Sequence, residues 1–151
     1  MQIIDSFYIV GIAIETTNLN GSAAKDLGIL WERFYTEDIS SKISTKVSDD
    51  IYSIYTDYEA DHTGKYTCII GHKVHSLVSI PKGFVGRKIN AGNYYKFIAK
   101  GEMPSAVLAT WETIWKSESS LNRKYTSDFE VYRIKSQNGA NSEVEIYIAT
   151  E

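Results

Sequence analysis

The same order of predicted elements, strand–helix–strand–strand, occurs twice along this chain of 151 residues. Each predicted helix carries a tryptophan followed by glutamate, Trp31 in the first half and Trp111 in the second, 80 positions apart. An aspartate precedes the third element of each half, Asp50 and Asp128, 78 positions apart. A shared element order with a nearly constant offset indicates an internal duplication.

The first half contains three predicted strands and one helix. Leu27, Leu30, Trp31 and Phe34 follow a spacing of three and four, which predicts an amphipathic helix from Ala23 to about Asp38. Runs of β-branched and aromatic residues predict the strands, and a polar run predicts a loop. The strands are Phe7–Glu15, Ile51–Tyr58 and Lys65–His75, and the loop is Ser40–Asp50.

The second half repeats this arrangement after a glycine-containing linker. Pro104 suits the first turn of a helix, whose apolar stripe continues to Trp115. Ser119–Ser127 is polar, and Asn138-Gly139 indicates a turn. The predicted strands are Tyr94–Lys100, Phe129–Ile134 and Val144–Thr150, with a short strand in the linker at Val85–Ile89.

Two such units predict an α+β fold of duplicated βαββ halves related by a pseudo-twofold axis, with an antiparallel sheet and two main helices. We place the halves at about residues 1–78 and 79–151 of a single domain. A groove between them is a common position for a ligand site. The offset of 78 aligns Tyr52 with Glu130, so that one half offers a phenol where the other offers a carboxylate.

Glu130 lies inside an aromatic predicted strand. Because side chains alternate along a strand, Glu130, Tyr132 and Ile134 are predicted to share one face. A carboxylate on such a face is costly unless it is hydrogen-bonded, neutralised or open to a positive partner. The residues alone leave two interpretations, the centre of a small-molecule site or a solvent-facing glutamate on an edge strand.

Composition excludes several classes of function. The formal charge of −3 and the pI near 5.6 argue against a general nucleic-acid binder. A single cysteine, Cys68, excludes an intrachain disulfide and a cysteine-rich zinc site, which makes a reducing, cytoplasmic setting the default expectation. Ile9–Ile14 is too short to span a bilayer, and we expect no membrane partner. No phosphate-binding loop or dinucleotide fingerprint occurs, and we expect no cofactor.

Acidic residues and a histidine cluster near the turn that follows the strand Ile51–Tyr58. Solvated hairpin charges are much commoner than a metal site in such a cluster, so no metal is predicted. The eleven tyrosines also have two interpretations. They reflect β-propensity, or they form a pocket walled by phenol rings. The clustered residues are Asp57, Glu59, Asp61 and His62.

An ordered set of segments in the second half resembles the gyrase-inhibitor-like effector-binding domain. This module occurs at the C-terminus of many AraC-type and MerR-type transcription regulators, and the resemblance covers essentially the whole chain. The segments are Asn93-Tyr94-Tyr95-Lys96-Phe97, Lys100-Gly101-Glu102-Met103-Pro104, Trp111, Phe129-Glu130-Val131-Tyr132 and Val144-Glu145-Ile146-Tyr147-Ile148.

The resemblance implies a groove that binds amphipathic, often cationic, aromatic small molecules. Glu130 falls on the position of a buried glutamate that receives the cation and is held by tyrosine hydroxyls. The implied ligand-binding set is Glu130 with the wall candidates Tyr52, Tyr95, Trp111, Tyr132 and Tyr147.

Two other functions stay open at this level. Some relatives hydrolyse strained, cyclopropane-bearing electrophiles in the same groove, where Glu130 or Glu145 would activate water. The third candidate is a gyrase-inhibitor-type interaction with a protein. The first predicted strand begins close to Met1, so we expect a stand-alone domain without a helix-turn-helix and without direct nucleic-acid contact. A separate transcription regulator or gyrase is then the implied protein partner.

Overall fold

One eight-stranded antiparallel sheet organises the protein in the computed structural model, which describes residues 2–151. Its strands are β1 (Gln2–Ile4), β2 (Phe7–Thr17), β3 (Ile51–Thr56), β4 (Lys65–Val74), β5 (Val85–Ile89), β6 (Gly92–Lys100), β7 (Ser127–Tyr132) and β8 (Glu143–Thr150). The α-helices are α1 (Ser22–Thr36), α2 (Ile39–Lys42), α3 (Ser105–Lys116) and α4 (Glu118–Leu121). Short 3-10 turns occupy Leu19–Gly21, Ile134–Gln137 and Gly139–Asn141.

The strand order is β1-β6-β8-β7-β3-β4-β2-β5. The two halves meet where β3 pairs with β7, and each half continues outward in the same order: the second, third and then first strand of its βαββ unit. This arrangement confirms the α+β class with duplicated βαββ units. The division of the chain at residues 78 and 79 stays a prediction.

The two long helices cover one face of the sheet. Helix α1 buries Leu30 and Phe34 against the first half, and α3 buries Val107 and Ile114 against the second. These residues are spaced so that they lie on one side of each helix, which explains the amphipathic pattern. Among residues 2–151, no helix combines the length and the apolar run needed to cross a membrane.

The opposite face of the sheet closes over its own core. Phe7 of β2 lies 5.2 Å from Phe129 of β7 between ring centroids, although β3 and β4 separate these strands in the sheet. Such a contact requires the sheet to curl. Every buried member of this core in the described part of the chain comes from a strand: Phe7, Ile9, Tyr52, Ile54, Ile69, Ile89, Tyr94, Phe129, Val131, Tyr147 and Ala149.

Two glycines let β2 and β4 approach closely within the curl. Gly11 and Gly71 are directly paired, and a Cβ atom at Gly71 would lie 2.0 Å from the carbonyl oxygen of Val10. A Cβ atom at Gly11 would lie 2.1 Å from the carbonyl oxygen of Ile70. No side chain fits at either position without moving the backbone, so glycine is required by close approach.

Several predicted element bounds are wrong. Strand β7 ends at Tyr132, and Ile134 is 81% exposed in a 3-10 turn, so Ile134 does not share the face of Glu130. The predicted polar loop Ser40–Asp50 contains part of α2. This helix is held in place by its buried first residue, Ile39. In the second half, buried Leu121 anchors α4 in the same way. Strand β1 was not predicted, because three residues carry too little pattern to recognise.

Candidate functional site

The candidate site centres on Glu130, which lies on β7 beside the junction of the two halves. It is opposite Ser53 of β3 and Ile146 of β8, on the helix-covered face of the sheet. Only 2% of the residue is exposed. The burial expected from the sequence therefore matches the fold, and the solvent-facing interpretation is wrong.

Three neutral donors hold the Glu130 carboxylate. The Tyr55 hydroxyl and the Trp111 indole N–H both donate to Oε2, at 2.9 and 2.7 Å, and the Tyr132 hydroxyl donates to Oε1 at 2.6 Å. Tyr55 belongs to the first half, while Trp111 and Tyr132 belong to the second. The carboxylate thus joins β3, β7 and α3 in one network.

Burial controls the protonation of this network. Desolvation raises the pKa of Glu130 above its ordinary value, while the hydrogen bonds from Tyr132, Trp111 and Tyr55 oppose the rise. Desolvation and the nearby Glu130 charge also raise the pKa of Tyr55 and Tyr132, so both phenols stay protonated and can donate. The phenols therefore keep their protons, and the three donors only partly offset the desolvation that makes the carboxylate harder to ionise than in water.

No cationic side chain among residues 2–151 forms an ion pair with Glu130. The contrast with Asp128, two residues earlier on the same face, is direct. Asp128 is completely buried and pairs with Arg123 at 2.7 Å. Burying a carboxylate that contacts only neutral donors costs more free energy than burying one that is paired with a cation.

Aromatic rings surround the Glu130 network. Trp31 of α1 contacts Tyr132 edge-on, with ring centroids 5.0 Å apart, and Trp111 of α3 contacts Tyr55 edge-on at 5.5 Å. Trp111 also packs against Trp115, at 6.3 Å, and touches the apolar cores of both halves. One long helix thus supplies a tryptophan that binds Glu130 directly, Trp111, and the other supplies Trp31, which contacts the Glu130 partner Tyr132.

The structure brings together three of the six predicted site residues, Glu130, Trp111 and Tyr132. Tyr95 shares the helix-covered face but stands on β6, with β8 between it and β7. It is 44% exposed and packs against Phe97. Its position fits an outer wall and not the hydrogen-bonded centre.

Tyr52 and Tyr147 lie on the other face of the sheet. Tyr52 pairs with Val131, and Tyr147 pairs with Phe129, so both point into the core that the curled sheet encloses. The expected correspondence between Tyr52 and Glu130 is wrong. The offset between the halves changes between helix and strand, and a shift of one residue moves a side chain to the opposite face.

Glu145, left open by the sequence, also lies on that other face and is neutralised. Arg133 donates to it at 2.8 and 3.3 Å, the Tyr147 hydroxyl donates at 2.7 Å, and Lys96 lies 3.9 Å away. Burial alone would raise the pKa of Glu145, but Arg133, Tyr147 and Lys96 together lower it. Glu145 is therefore surrounded by positive charge, whereas Glu130 contacts only neutral donors among the described residues.

Sequence reasoning missed Tyr55 as a site residue and placed Trp31 in the core. Tyr55 is recognisable only once β3 is paired with β7, because the register then puts it on the face of Glu130. Trp31 lies at the helical spacing of a core residue, and its contact with Tyr132 depends on how the halves join. Neither signal exists within one half of the chain.

A separate cavity of about 410 Å³ lies beside the end of β3, the start of β7 and the connection from β5 to β6. It contains none of the six predicted site residues, and its lining includes Arg87, Lys88 and Lys124 with one acid, Asp57, which pairs with Arg87 at 2.8 Å. Within residues 2–151, no group of three or more histidine, cysteine or acidic side chains is placed to hold a metal ion.

A family model described as "Cass2: Integron-associated effector binding protein" matches residues 2–150. The protein belongs to the Cass2 family. A solved Cass2 structure, the integron cassette protein VCH_CASS2 from the mobile metagenome of Vibrio cholerae, is 32% identical. The match covers 99% of this chain and 94% of that one, with a TM-score of 0.76. The resemblance to gyrase-inhibitor-like effector-binding domains is confirmed at the level of family.

Two further relatives extend the Cass2 comparison. YobU of Bacillus subtilis (strain 168), named as a transcriptional regulator, is 28% identical over 142 residues, which cover 92% of this chain and 89% of YobU. The structure of SAV2435 bound to tetraphenylphosphonium shares the fold, with a TM-score of 0.83 at 22% identity over 99% of this chain and 92% of that one. The Cass2 fold thus extends to proteins of low sequence identity.

Proposed function

We propose that this protein binds amphipathic, cationic aromatic small molecules between α1 and α3, with Glu130 as the charge centre. The observation that carries the proposal is the state of that carboxylate. It is buried, it accepts three hydrogen bonds from neutral donors, and it forms no ion pair with a described cation. An entering cation would supply the missing opposite charge.

The surrounding rings suit the rest of such a ligand. Trp111 and Tyr132 donate to the carboxylate, and Trp31 packs edge-on against Tyr132, so three aromatic rings lie at or next to the charge. A cation over an aromatic face gains about 0.5–2 kcal/mol, and the larger value applies when the pair is desolvated. Rings and one charge impose no detailed hydrogen-bond pattern, so we expect the protein to accept several cations of similar size.

Charge also distinguishes this site from the separate cavity of about 410 Å³. That cavity is lined by three cationic residues and a single acid that is already paired. A cationic ligand would be repelled there by like charge. SAV2435, which shares this fold, has been solved bound to tetraphenylphosphonium, a ligand of the same class.

Ligand binding would serve a regulatory role. The family is described as effector-binding, and the relative YobU is named as a transcriptional regulator. We infer that the occupied site signals to a separate transcription regulator, since a formal net charge of −3 argues against a general nucleic-acid binder.

The hydrolase hypothesis gains no support from the carboxylates. Glu145, one of its two candidate bases, has a lowered pKa and is engaged by Arg133. Glu130 already accepts three hydrogen bonds, at both of its oxygens, which lowers its capacity to take a proton from a water molecule.

Two ligands of the same shape and opposite charge test the proposal. Isothermal titration calorimetry would compare tetraphenylphosphonium with tetraphenylborate, each titrated into the intact protein. We expect the phosphonium to bind and the borate to give no measurable heat, because only the phosphonium complements Glu130. Equal binding of both ions, or binding of neither, would overturn the proposed function.

A further inference from the structure

The second buried carboxylate beside the candidate site is neutralised by one arginine. Asp128 accepts the Arg123 guanidinium at 2.7 Å, the Tyr58 hydroxyl at 2.6 Å and the backbone N–H of Ala149 at 2.8 Å. Arg123 has a side chain only 2% exposed, so the ion pair is shielded from solvent and from salt. Asp128 and Glu130 are two strand residues apart, or about 7 Å.

Arg123 also faces the aromatic wall of the site. Its guanidinium carbon lies 4.3 Å from the centroid of the Tyr125 ring and 6.0 Å from that of Trp111, the residue that donates to Glu130. A second contact, with Glu118 at 2.8 Å, lies toward solvent, because Glu118 is 24% exposed. Arg123 therefore places one positive charge over the ring of Trp111.

Resting on the proposed function, we propose that Arg123 limits the site to ligands with a single positive charge. Its ion pair with Asp128 leaves Glu130 as the one uncompensated carboxylate on this face of β7. A second positive centre on a ligand would meet a carboxylate that is already paired and would approach the guanidinium beside Trp111. Arg123 acts as a specificity-determining residue without contacting the ligand.

The inference predicts opposite effects of two substitutions on the affinity for dications relative to monocations. Arg123→Gln removes the cation and leaves Asp128 open to a second positive centre, so dications gain relative to monocations. Asp128→Asn keeps the cation and removes its buried partner, so dications lose more than monocations. Opposite shifts are expected because a unit charge gained or lost beside the site acts on one ligand charge of a monocation and on two of a dication.

Two pyridinium compounds with the same two-ring frame provide the probe. 1-Methyl-4-phenylpyridinium carries one charge, and methyl viologen carries two. Calorimetry would give the ratio of the viologen Kd to the phenylpyridinium Kd for each protein. We expect Arg123→Gln to lower this ratio on the order of tenfold and Asp128→Asn to raise it. A general loss of folding would weaken both ligands without moving the ratio in opposite directions.

The double variant Arg123→Gln/Asp128→Asn completes the test. Because it removes both members of the ion pair, its ratio should return to the wild-type value. If Arg123→Gln fails to fold, the rise with Asp128→Asn decides the matter alone. An unchanged ratio in the folded single variants, or an equal shift in the single Arg123→Gln and double variants, would overturn the inference. A wild-type protein that binds neither pyridinium nor phosphonium would overturn the proposed function as well.

Discussion

Asp128 and Glu130 lie two residues apart on the same face of β7, and among residues 2–151 a cationic side chain pairs with Asp128 but none pairs with Glu130. Both are buried, with exposures of 0% and 2%. Removing one carboxylate from water and pairing it with Arg123 is an ordinary structural solution. Removing its neighbour from water and surrounding it only with phenols and an indole is costly for folding, and a cationic ligand would offset that cost.

The first prediction concerns this cost. Because the folded pKa of Glu130 is raised above its ordinary value of 4.5, the folded protein binds more protons than the unfolded chain in the window above that value. The stability that this group contributes is complete below the unfolded pKa and is lost as the pH rises through the folded pKa. Glu130→Gln should therefore be more stable than wild type at pH 7, by on the order of 1 kcal/mol.

Urea denaturation between pH 4 and pH 8 would measure this difference. The gap between the variant and wild type should close as the pH falls. Glu145→Gln is the matched control, because the pKa of Glu145 is lowered and its loss should destabilise the protein at neutral pH. If Glu130→Gln were less stable than wild type at neutral pH, the carboxylate would be a stabilising element and the premise would be wrong.

The second prediction separates the two faces of the sheet. Tyr132→Leu removes a ring beside Glu130 and should weaken tetraphenylphosphonium binding by about 0.5–2 kcal/mol, the usual range for a cation–aromatic contact. Tyr147→Leu removes a ring from the opposite face and should leave the Kd within about twofold. Fluorescence titration of both variants would suffice. Equal losses would mean that the ligand does not distinguish the faces.

The third prediction concerns the curl that closes the sheet. Gly71→Ala should cost at least about 3 kcal/mol or prevent folding, since its Cβ atom would collide with the backbone at Val10. Gly28→Ala is the control, because nothing lies within 4 Å of a Cβ atom there. In the middle of α1 this change should stabilise the protein by about 0.5–1 kcal/mol. Thermal unfolding followed by circular dichroism compares them, and a Gly71→Ala protein with wild-type stability would refute the close approach.

The sequence predicted the repeated elements well because each depends on local pattern. The stripe around Leu30 and Phe34 and the alternation in β7 are both readable within a short window. The residues left the burial of Glu130 open between two interpretations, and the family resemblance favoured the buried one. The family resemblance added the chemical class of ligand, which no local pattern specifies.

Contacts across the junction were not predictable from the pattern of either half. The register between β3 and β7 decides that Tyr55 faces Glu130 and that Tyr52 does not. An error of one residue in the offset between the halves reverses this assignment. The partnership of Arg123 with Asp128 depends on a positively charged residue in a polar stretch returning to the sheet, which periodicity does not reveal.

The most direct test of the central claim is the affinity of tetraphenylphosphonium for wild type, Glu130→Gln and Glu145→Gln, measured by calorimetry at neutral pH. The two variants lose the same charge on opposite faces of the sheet. We expect Glu130→Gln to raise the Kd by about tenfold or more, the loss of a charge-assisted contact, while Glu145→Gln stays near wild type. Wild-type affinity in folded Glu130→Gln would contradict the account.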